Sequence, residues 1–369
     1  MKLICSKASL FNGVQIVSKA VSNKTTMSIL ECIMVDATKG IITLTGNDMD
    51  LGIETVIEGE IVEKGAIALD AKIFLEIVRK LPDNFITIET DSSFKTVITC
   101  EKAKFTIIGK SGEDFSYLPV VEKDDSISIS QFTLKEVVRQ TLFSISDNDN
   151  NKLMTGELFE INENELKVVS LDGHRISIRK IQLKESYAPK KVVVPGKTLN
   201  EVSKILPGGA DNFVTISFTE KHIVFEFENT TVVSRLIEGE YFKVAQMLSS
   251  DYETKVKINK KEFLNCIDRA TLLVKEGDKK PIIINIVDGR MDLKVNSILG
   301  SMNEDIDIEK QGKDLMIGFN PKFLIDALRV IDDEDVELYM VNPKAPCIIK
   351  NQEESYIYLI LPVNFTTVS

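Results

Sequence analysis

The residues best suited to chemistry lie in the segment 171–176, where Asp172, His174 and Arg175 stand close together. An acid, an imidazole and a guanidinium could support acid–base or metal-dependent hydrolysis. However, an Asp-Gly pair between two strand-like segments is also typical of a hairpin turn. The sequence offers no nucleophile or metal ligand beside His174, so we predict a turn with an exposed His and Arg. A hydrolase or nuclease centred on Asp172 and His174 stays open as an alternative.

Other signatures of enzymes and cofactor sites are absent from the sequence. It contains no P-loop, no GxGxxG after a strand, no GxSxG and no HExxH. Two histidines are too few for a histidine-based metal cluster. The five cysteines lie far apart without a CxxC pair, which predicts reduced, mostly buried thiols and neither disulfides nor a zinc site. We therefore expect a protein without metal or cofactor that is not an enzyme.

The elements around this motif belong to an internal repeat. Three helix-like segments, at 71–82, 196–207 and 321–332, recur at a spacing of 125 residues. Each has one apolar face and one stripe of basic, acidic and basic residues. The stripes are Lys72, Glu76 and Arg79; Lys197, Glu201 and Lys204; and Lys322, Asp326 and Arg329.

A second set of amphipathic segments begins near Ser9, Phe132 and Lys261. Short alternating or apolar runs bounded by Gly, Asn and Asp surround both sets and predict strands. The chain therefore predicts an α+β fold of three repeated units, each with two helices on antiparallel sheets. We place these three domains at 1–122, 126–248 and 252–369.

Length and composition agree with this organisation. A chain of 369 residues predicts two or three domains, and 43% hydrophobic with 27% charged residues is typical of a globular protein. No stretch approaches the roughly 18 apolar residues that a membrane span needs. We expect a cytoplasmic protein that does not bind membranes.

Charge is distributed unevenly along the chain. The net charge of −11 argues against a simple nucleic-acid binder. The six helical windows, however, hold 14 Lys and Arg against 6 Asp and Glu, a net of +8, so the remainder carries −19. If the six helices share one face of an assembly, a basic lining and an acidic exterior suit a polyanion held by a sequence-independent field.

Three features together, the Asp-Gly-His-Arg motif, the segment SRLIEGEYF at 234–242 and the terminal LILPV at 359–363, carry a family resemblance. With the repeat, they make the whole chain resemble the bacterial DNA polymerase III beta subunit family, the sliding clamps. The resemblance implies three DNA-clamp domains per chain and a ring formed by a head-to-tail homodimer. It implies as partners duplex DNA, the replicative DNA polymerase, the clamp loader and other proteins that carry a clamp-binding peptide.

The resemblance also implies a hydrophobic pocket that accepts a short peptide of the partner proteins. Phe242 stands where the family usually has proline, and residues 364–369 extend the usual short C-terminus; both departures bear on the shape of the pocket. By motif matching, the pocket comprises Met154, Leu171, Gly173, His174, Arg175, Ile176, Phe242, Met247, Leu359, Ile360, Leu361, Pro362 and Val363.

Two further surfaces are implied by the resemblance. The subunit contact would join Lys102, Lys104, Phe105 and Ile107 of one chain to Leu272, Leu273, Glu304, Asp305 and Asp307 of the next. The DNA-facing residues would be Lys24, Lys72, Arg79, Lys80, Lys135, Arg139, Lys197, Lys204, Lys322 and Arg329. A repeat-built protein scaffold that never meets DNA stays open as a second alternative.

Overall fold

The computed structural model describes residues 1–22, 25–119, 121, 125–148, 150–248, 251–274 and 280–365. This part of the chain contains α1 (Lys7–Val17), α2 (Ala71–Lys80), α3 (Gln131–Thr141), α4 (Gly196–Ile205), α5 (Lys260–Thr271) and α6 (Pro321–Val330). Its strands are β1 (Lys2–Ser6), β2 (Cys32–Asp36), β3 (Ile42–Asn47), β4 (Leu51–Ile57), β5 (Glu60–Glu63), β6 (Ala66–Asp70), β7 (Phe85–Thr90), β8 (Lys95–Cys100), β9 (Ala103–Ile108), β10 (Asp125–Ser130), β11 (Gly156–Leu171), β12 (Arg175–Pro195), β13 (Phe213–Phe218), β14 (His222–Phe227), β15 (Thr230–Arg235), β16 (Thr254–Asn259), β17 (Ile282–Val287), β18 (Arg290–Ser297), β19 (Gly300–Asp307), β20 (Glu309–Gly312), β21 (Leu315–Phe319), β22 (Asp335–Met340), β23 (Cys347–Lys350) and β24 (Tyr356–Ile360).

The three helices predicted from the repeat form where expected. Their apolar positions, such as Phe74 in α2 and Leu324 in α6, are buried. Asp70 and Asn320 accept hydrogen bonds from backbone N–H groups in the first turns of α2 and α6. The helix α2 ends before Leu81 because a residue that precedes proline disfavours helical backbone, and Leu81 is extended.

The chain divides into two compact units. The first unit consists of Met1–Leu134 and Lys197–Leu236. It contains a five-stranded sheet in the order β5-β1-β7-β8-β9 and an eight-stranded sheet in the order β10-β13-β14-β15-β4-β3-β2-β6. In the larger sheet, β15 pairs antiparallel with β4, so strands from opposite ends of this unit's sequence share one hydrogen-bond ladder.

The second unit consists of Lys135–Gly196 and Ile237–Ser369. It contains a seven-stranded sheet in the order β11-β12-β24-β23-β22-β16-β20 and a four-stranded sheet in the order β19-β18-β17-β21. The strand β12 pairs antiparallel with β24, which brings Ile176 opposite Leu359 and Arg175 opposite Ile360. The motif at 171–176 therefore lies next to the last strand of the chain, although almost 200 residues separate them.

The two units do not follow the predicted ranges 1–122, 126–248 and 252–369. The residues of the middle range belong partly to the first unit and partly to the second. Sheet pairing explains this division, since β13 to β15 continue the sheet of β4 while β11 and β12 continue the sheet of β24. The three domain ranges stay a prediction.

The five cysteines are buried and free, as the sequence predicts. Burial raises the pKa of Cys347 and of Cys266 to about 12, and that of Cys5 to about 11. These three thiols pack as small apolar groups, and the raised pKa disfavours the reactive thiolate form.

Candidate functional site

The turn between β11 and β12 has a defined hydrogen-bonded geometry. The carboxylate of Asp172 accepts bonds from the backbone N–H groups of His174 and Arg175, at 3.0 and 3.2 Å. Gly173 adopts a φ of +87°, a conformation that other residues rarely take. The Asp-Gly pair therefore forms a turn, as predicted from its residue types.

The guanidinium of Arg175 is at the centre of the site, and its residue is only 6% exposed. Its Nε donates to Asp172 Oδ2 at 2.9 Å and its Nη1 donates to Asp326 Oδ2 at 2.6 Å. Its Nη2 donates to the carbonyl oxygen of Phe143. It also lies over the ring of Phe323, with Cζ 4.6 Å from the ring centroid. Arg175 is thus fixed in place as a buried structural cation.

These contacts leave little of the motif for catalysis. The carboxylate of Asp172 already accepts the turn's N–H groups and the guanidinium of Arg175. The ring of His174 lies 5.9 Å from the ring of Phe323, an apolar neighbour that cannot orient it as a general base. The prediction that His174 is exposed is confirmed. The prediction that Arg175 is exposed is wrong, because two carboxylates match its charge and allow it to be buried.

A cavity of about 320 Å³ opens beside this turn. Its lining is mostly apolar, with His174 and Arg175 as the charged or polar members. Five of the lining residues belong to one core cluster or pack against it, namely Leu171, Ile176, Leu359, Met154 and Phe242. The lining consists of Met154, Leu171, Gly173, His174, Arg175, Ile176, Phe242, Met247, Pro346, Leu359 and Leu361. Ten of the predicted pocket residues are therefore brought together.

Three predicted pocket residues do not line the cavity. Ile360 packs instead in the core formed around α5 and α6, because successive side chains of a strand point to opposite faces of the sheet. After Leu361, whose N–H donates to the carbonyl oxygen of His174 at 2.9 Å, the chain turns to β21. There Val363 donates to the carbonyl oxygen of Gly318 at 2.8 Å, which removes Pro362 and Val363 from the lining.

Phe242, the predicted departure from the family pattern, forms part of the wall. Its ring packs edge to face against Tyr241, with centroids 5.5 Å apart. The side chains of Met247 and Leu361, by contrast, are both exposed at the cavity. Their flexible thioether and aliphatic groups can adapt to an apolar ligand.

Sequence analysis missed two residues of this site. Pro346 lines the cavity from the turn before β23, and Phe323 contacts both His174 and Arg175 from α6. No local pattern marks Pro346. The order of β12, β24 and β23 in the sheet would have been needed to place Pro346, while the exposed-face position of Phe323 next to Lys322 was the available signal for Phe323.

The basic residues proposed to face DNA are mostly exposed. Lys72, Arg79, Lys80, Arg139, Lys197, Lys204, Lys322 and Arg329 are exposed, Lys135 is half-buried, and Lys24 lies outside the described residues. Many of these cations already contact carboxylates. Arg79 pairs with Glu76 at 2.6 Å, Lys204 with Glu201 at 2.8 Å, and Lys197 with Asp48. The pair of Arg79 and Glu76 is exposed on both sides and is therefore weak, whereas the carboxylates of Glu201 and Asp48 are mostly covered.

Two strands at the edges of sheets carry the residues predicted for a subunit contact. The strand β9 ends the five-stranded sheet and carries Lys104 and Phe105, and β19 ends the four-stranded sheet and carries Glu304 and Asp305. Lys102 precedes β9, and Asp307 is the last residue of β19; both are exposed. Each edge leaves backbone groups available for pairing with another chain.

Apolar side chains accompany these edges. Phe105 is 41% exposed and Leu272 is 78% exposed, whereas Ile107 and Leu273 are half-buried. Glu304 differs from its acidic neighbours because Arg269 holds it, with Nε 2.9 Å from Oε2. This ion pair keeps the pKa of Glu304 below its usual value.

Among the described residues, no group of three or more His, Cys, Asp or Glu is placed to hold a metal ion. No described helix is long and apolar enough to cross a membrane.

Comparison with protein families gives three matches that follow one another along the chain. The N-terminal domain of the DNA polymerase III beta subunit matches residues 1–119. The central domain of the same subunit matches residues 128–243, and its C-terminal domain matches residues 245–364.

Individual relatives agree with these matches. The beta sliding clamp of Staphylococcus aureus is 35% identical over 356 residues, which cover 94% of each chain. A crystal structure from Eubacterium rectale, assigned to the DNA polymerase III beta subunit, is 75% identical, covers 100% of both chains and has a TM-score of 0.97. The DNA polymerase sliding clamp of Bacillus subtilis is 33% identical, with a TM-score of 0.96 over 99% of this chain and 100% of that one.

Proposed function

Because the chain belongs to the DNA polymerase III beta subunit family and is a DNA sliding clamp, we propose that two copies close into a ring around duplex DNA. The ring tethers the replicative polymerase, the clamp loader and other proteins that carry a clamp-binding peptide. It works in the cytoplasm and catalyses no reaction. Processivity then comes from effective concentration, since a tethered polymerase rebinds before it diffuses away.

The observation that carries the tethering role is the cavity beside Arg175. Its volume of about 320 Å³ is at the small end of ligand sites and suits a few apolar side chains of a peptide. A peptide with Leu and Phe anchors near a Gln would bury its apolar ends there. Because few atoms are buried and the peptide must become ordered, we expect micromolar binding, on the order of −8 kcal/mol.

The contact with DNA is proposed to be weak, because carboxylates lie beside the cations that would make it. The exposed cations of the helices are partly matched by nearby carboxylates, as in the pairs of Arg79 and Lys204. Phosphate contacts of this kind carry no sequence information and weaken steeply with salt. Enclosure by the ring, rather than affinity, then keeps the protein on DNA while it slides.

Closure of the ring is proposed to use the edges of β9 and β19. Pairing of the two edge strands would extend a sheet from one chain to the next. Phe105 and Ile107 would bury their apolar surface against Leu272 and Leu273, and Lys102 and Lys104 would face the acidic residues Asp305 and Asp307. Burial supplies most of the free energy of association in such a contact, and the opposite charges supply orientation.

The alternatives from the sequence have less support. A hydrolase centred on Asp172 and His174 would need a free carboxylate beside the imidazole, but Asp172 is occupied by the turn and by Arg175. A scaffold that never meets DNA lacks support in the family comparison, in which all three domains match the clamp family.

Retention on circular DNA tests the proposed function. Purified protein is loaded onto nicked circular DNA by a clamp loader, and the bound fraction is followed by gel filtration before and after linearisation. We expect retention on the circle and release after cutting. Loss of protein from both forms alike would contradict enclosure.

A variant with Leu272→Ala and Leu273→Ala serves as the matched control. Weakening the subunit contact by a few kcal/mol shifts association by orders of magnitude, so this variant should be a folded monomer that circles do not retain. Sizing at low concentration checks the first expectation. A variant that stays dimeric would place the contact elsewhere.

A further inference from the structure

The acidic residue of the repeated stripe has a different role in its third copy. In α2, Glu76 accepts a hydrogen bond from Arg79 three residues later, at 2.6 Å. In α4, Glu201 accepts one from Lys204 at the same spacing, at 2.8 Å. In α6 the equivalent acid, Asp326, contacts Lys322 four residues earlier and a residue far away in sequence. Among the described residues, the acidic position of the stripe therefore has an additional, distant partner in α6 that it lacks in α2 and α4.

One oxygen atom joins the two partners of Asp326. Its Oδ2 accepts from Lys322 Nζ at 3.0 Å and from Arg175 Nη1 at 2.6 Å. The side chain of Lys322 is largely exposed, while the side chain of Arg175 is 7% exposed and lines the cavity. A solvent-facing cation of the stripe and a buried cation of the pocket thus share one acceptor.

The helix α6 also contributes Phe323, whose ring packs against two residues that line the cavity. Phe323, the neighbour of Lys322, lies under the guanidinium of Arg175 and beside the ring of His174. A change in how tightly Arg175 is held by Asp326 therefore acts on the cavity wall formed by His174 and Arg175. No long chain of intermediates is needed, since the path comprises Lys322, Asp326 and Arg175.

We infer that Asp326 is a positioning residue that couples a phosphate at Lys322 to peptide binding in the cavity. The inference rests on the proposed function, in which Lys322 faces DNA and the cavity accepts a partner peptide. A phosphate oxygen competes with Asp326 for the ammonium of Lys322. Once the ammonium has turned to the phosphate, Asp326 Oδ2 is left to Arg175 alone.

The sign of the coupling follows from this exchange. An acceptor that serves one cation holds it more strongly than an acceptor shared between two, so Arg175 becomes better fixed when DNA is present. A better-fixed cavity wall loses less freedom when the peptide binds, which favours binding. Coupling between two sites is reciprocal, so a bound peptide should in turn favour phosphate at Lys322. The clamp would then hold its partners more tightly on DNA than off it.

The test uses full-length protein, a fluorescent peptide carrying one Gln followed by Leu and Phe anchors, and fluorescence anisotropy at low salt. Lys322→Gln removes the cation without touching the cavity and imitates its departure to a phosphate. We expect this variant to bind the peptide about two- to fivefold more tightly, the range that an exposed ion pair supports. Equal or weaker binding would overturn the coupling.

Lys313→Gln is the matched control, because Lys313 is an exposed cation of the same unit that pairs with Glu253 at 2.8 Å. It changes net charge equally but has no connection to Arg175, so peptide affinity should equal that of the unaltered protein. An equal gain in both variants would mean that overall charge, and not Asp326, governs the affinity, which overturns the coupling.

A second measurement adds short duplex DNA. The unaltered protein should bind the peptide more tightly with duplex present, whereas Lys322→Gln and Asp326→Asn should not respond to duplex. A response that persists in both variants overturns the coupling. Failure of the peptide to bind even the unaltered protein would instead contradict the proposed pocket, so the two ideas fail in different ways.

Discussion

The helices α2 and α6 carry the same stripe of basic, acidic and basic residues, but the acidic residue contacts different kinds of partner in the two helices. In α2, Glu76 and Arg79 form a local pair with both side chains about half exposed. In α6, Asp326 is mostly covered and contacts Arg175, which belongs to β12. An exposed pair is worth about 0 to 1 kcal/mol, whereas a carboxylate that matches a buried cation is costly to remove.

This difference shows that a repeated pattern determines where a helix forms but not which partner each side chain contacts. The same charge spacing forms a local exposed pair in one copy and holds a buried arginine in another. What distinguishes the copies is the neighbouring sheet, since β12 of the second unit presents a buried arginine to α6. Two predictions test how far this contrast holds, and a third examines a buried carboxyl with no matching cation in the part of the chain that the structure describes.

The largest effect is expected for Arg175→Met. The substitution keeps an apolar stem but leaves Asp172 and Asp326 without the cation they share, which we expect to cost about 3–5 kcal/mol of unfolding free energy. Peptide binding should be lost as well, because the guanidinium is part of the cavity wall. Urea unfolding and peptide anisotropy measure the two effects. Arg79→Met in the exposed pair is the control, with an expected change within about 0.5 kcal/mol; equal losses in both variants would contradict the contrast.

A smaller effect is expected when the acids themselves are neutralised. Asp326→Asn keeps the shape but removes the charge that matches Arg175, and we expect a loss of about 1–3 kcal/mol. Glu76→Gln and Glu201→Gln remove the corresponding charges in α2 and α4 and should each cost less than about 1 kcal/mol. Thermal or urea unfolding of the three variants gives the order directly. If Asp326→Asn proved the mildest of the three, its role in the site would be refuted.

The third prediction concerns a buried carboxyl that pairs with no cation among the described residues. Glu157 on β11 is fully buried, and neither of its oxygens has a hydrogen-bond partner among the described residues. Burial raises the pKa of Glu157 from 4.5 to about 8. Between these values the unfolded chain releases a proton that the folded chain keeps, so stability falls as pH rises from about 4.5 and levels off above about 8.

Stability should therefore fall by about 2 kcal/mol between pH 6 and pH 8, and the melting temperature should be lower at pH 8 than at pH 6. Glu157→Gln needs no proton to stay neutral and should flatten that part of the profile. Glu185→Gln, at an exposed position of β12, should leave the profile unchanged. A profile in Glu157→Gln as steep as that of the unaltered protein would show that other groups cause the slope.

Much of the fold could be predicted from the sequence. The 125-residue repeat predicted α2, α4 and α6 at the correct places, and the prediction of three clamp domains of mixed helix and antiparallel sheet is confirmed by the family matches. These features are local or repeated, because side-chain periodicity, helix caps and turn residues act over a few positions. The prediction of a sliding clamp rested on a resemblance of motifs along the whole chain, and the family match and the relatives confirm it.

The sequence by itself determined which segments become helices, strands and turns, and which residue types surround the motif at 171–176. Only the tertiary structure decided that Arg175 is buried between Asp172 and Asp326, that Ile360 turns away from the cavity, and that Pro346 and Phe323 belong to the site. The physical reason is sequence distance. Pairing of β12 with β24, and packing of α6 beside them, join residues about 150 to 190 positions apart, and no local pattern encodes which distant partner a buried charge will find.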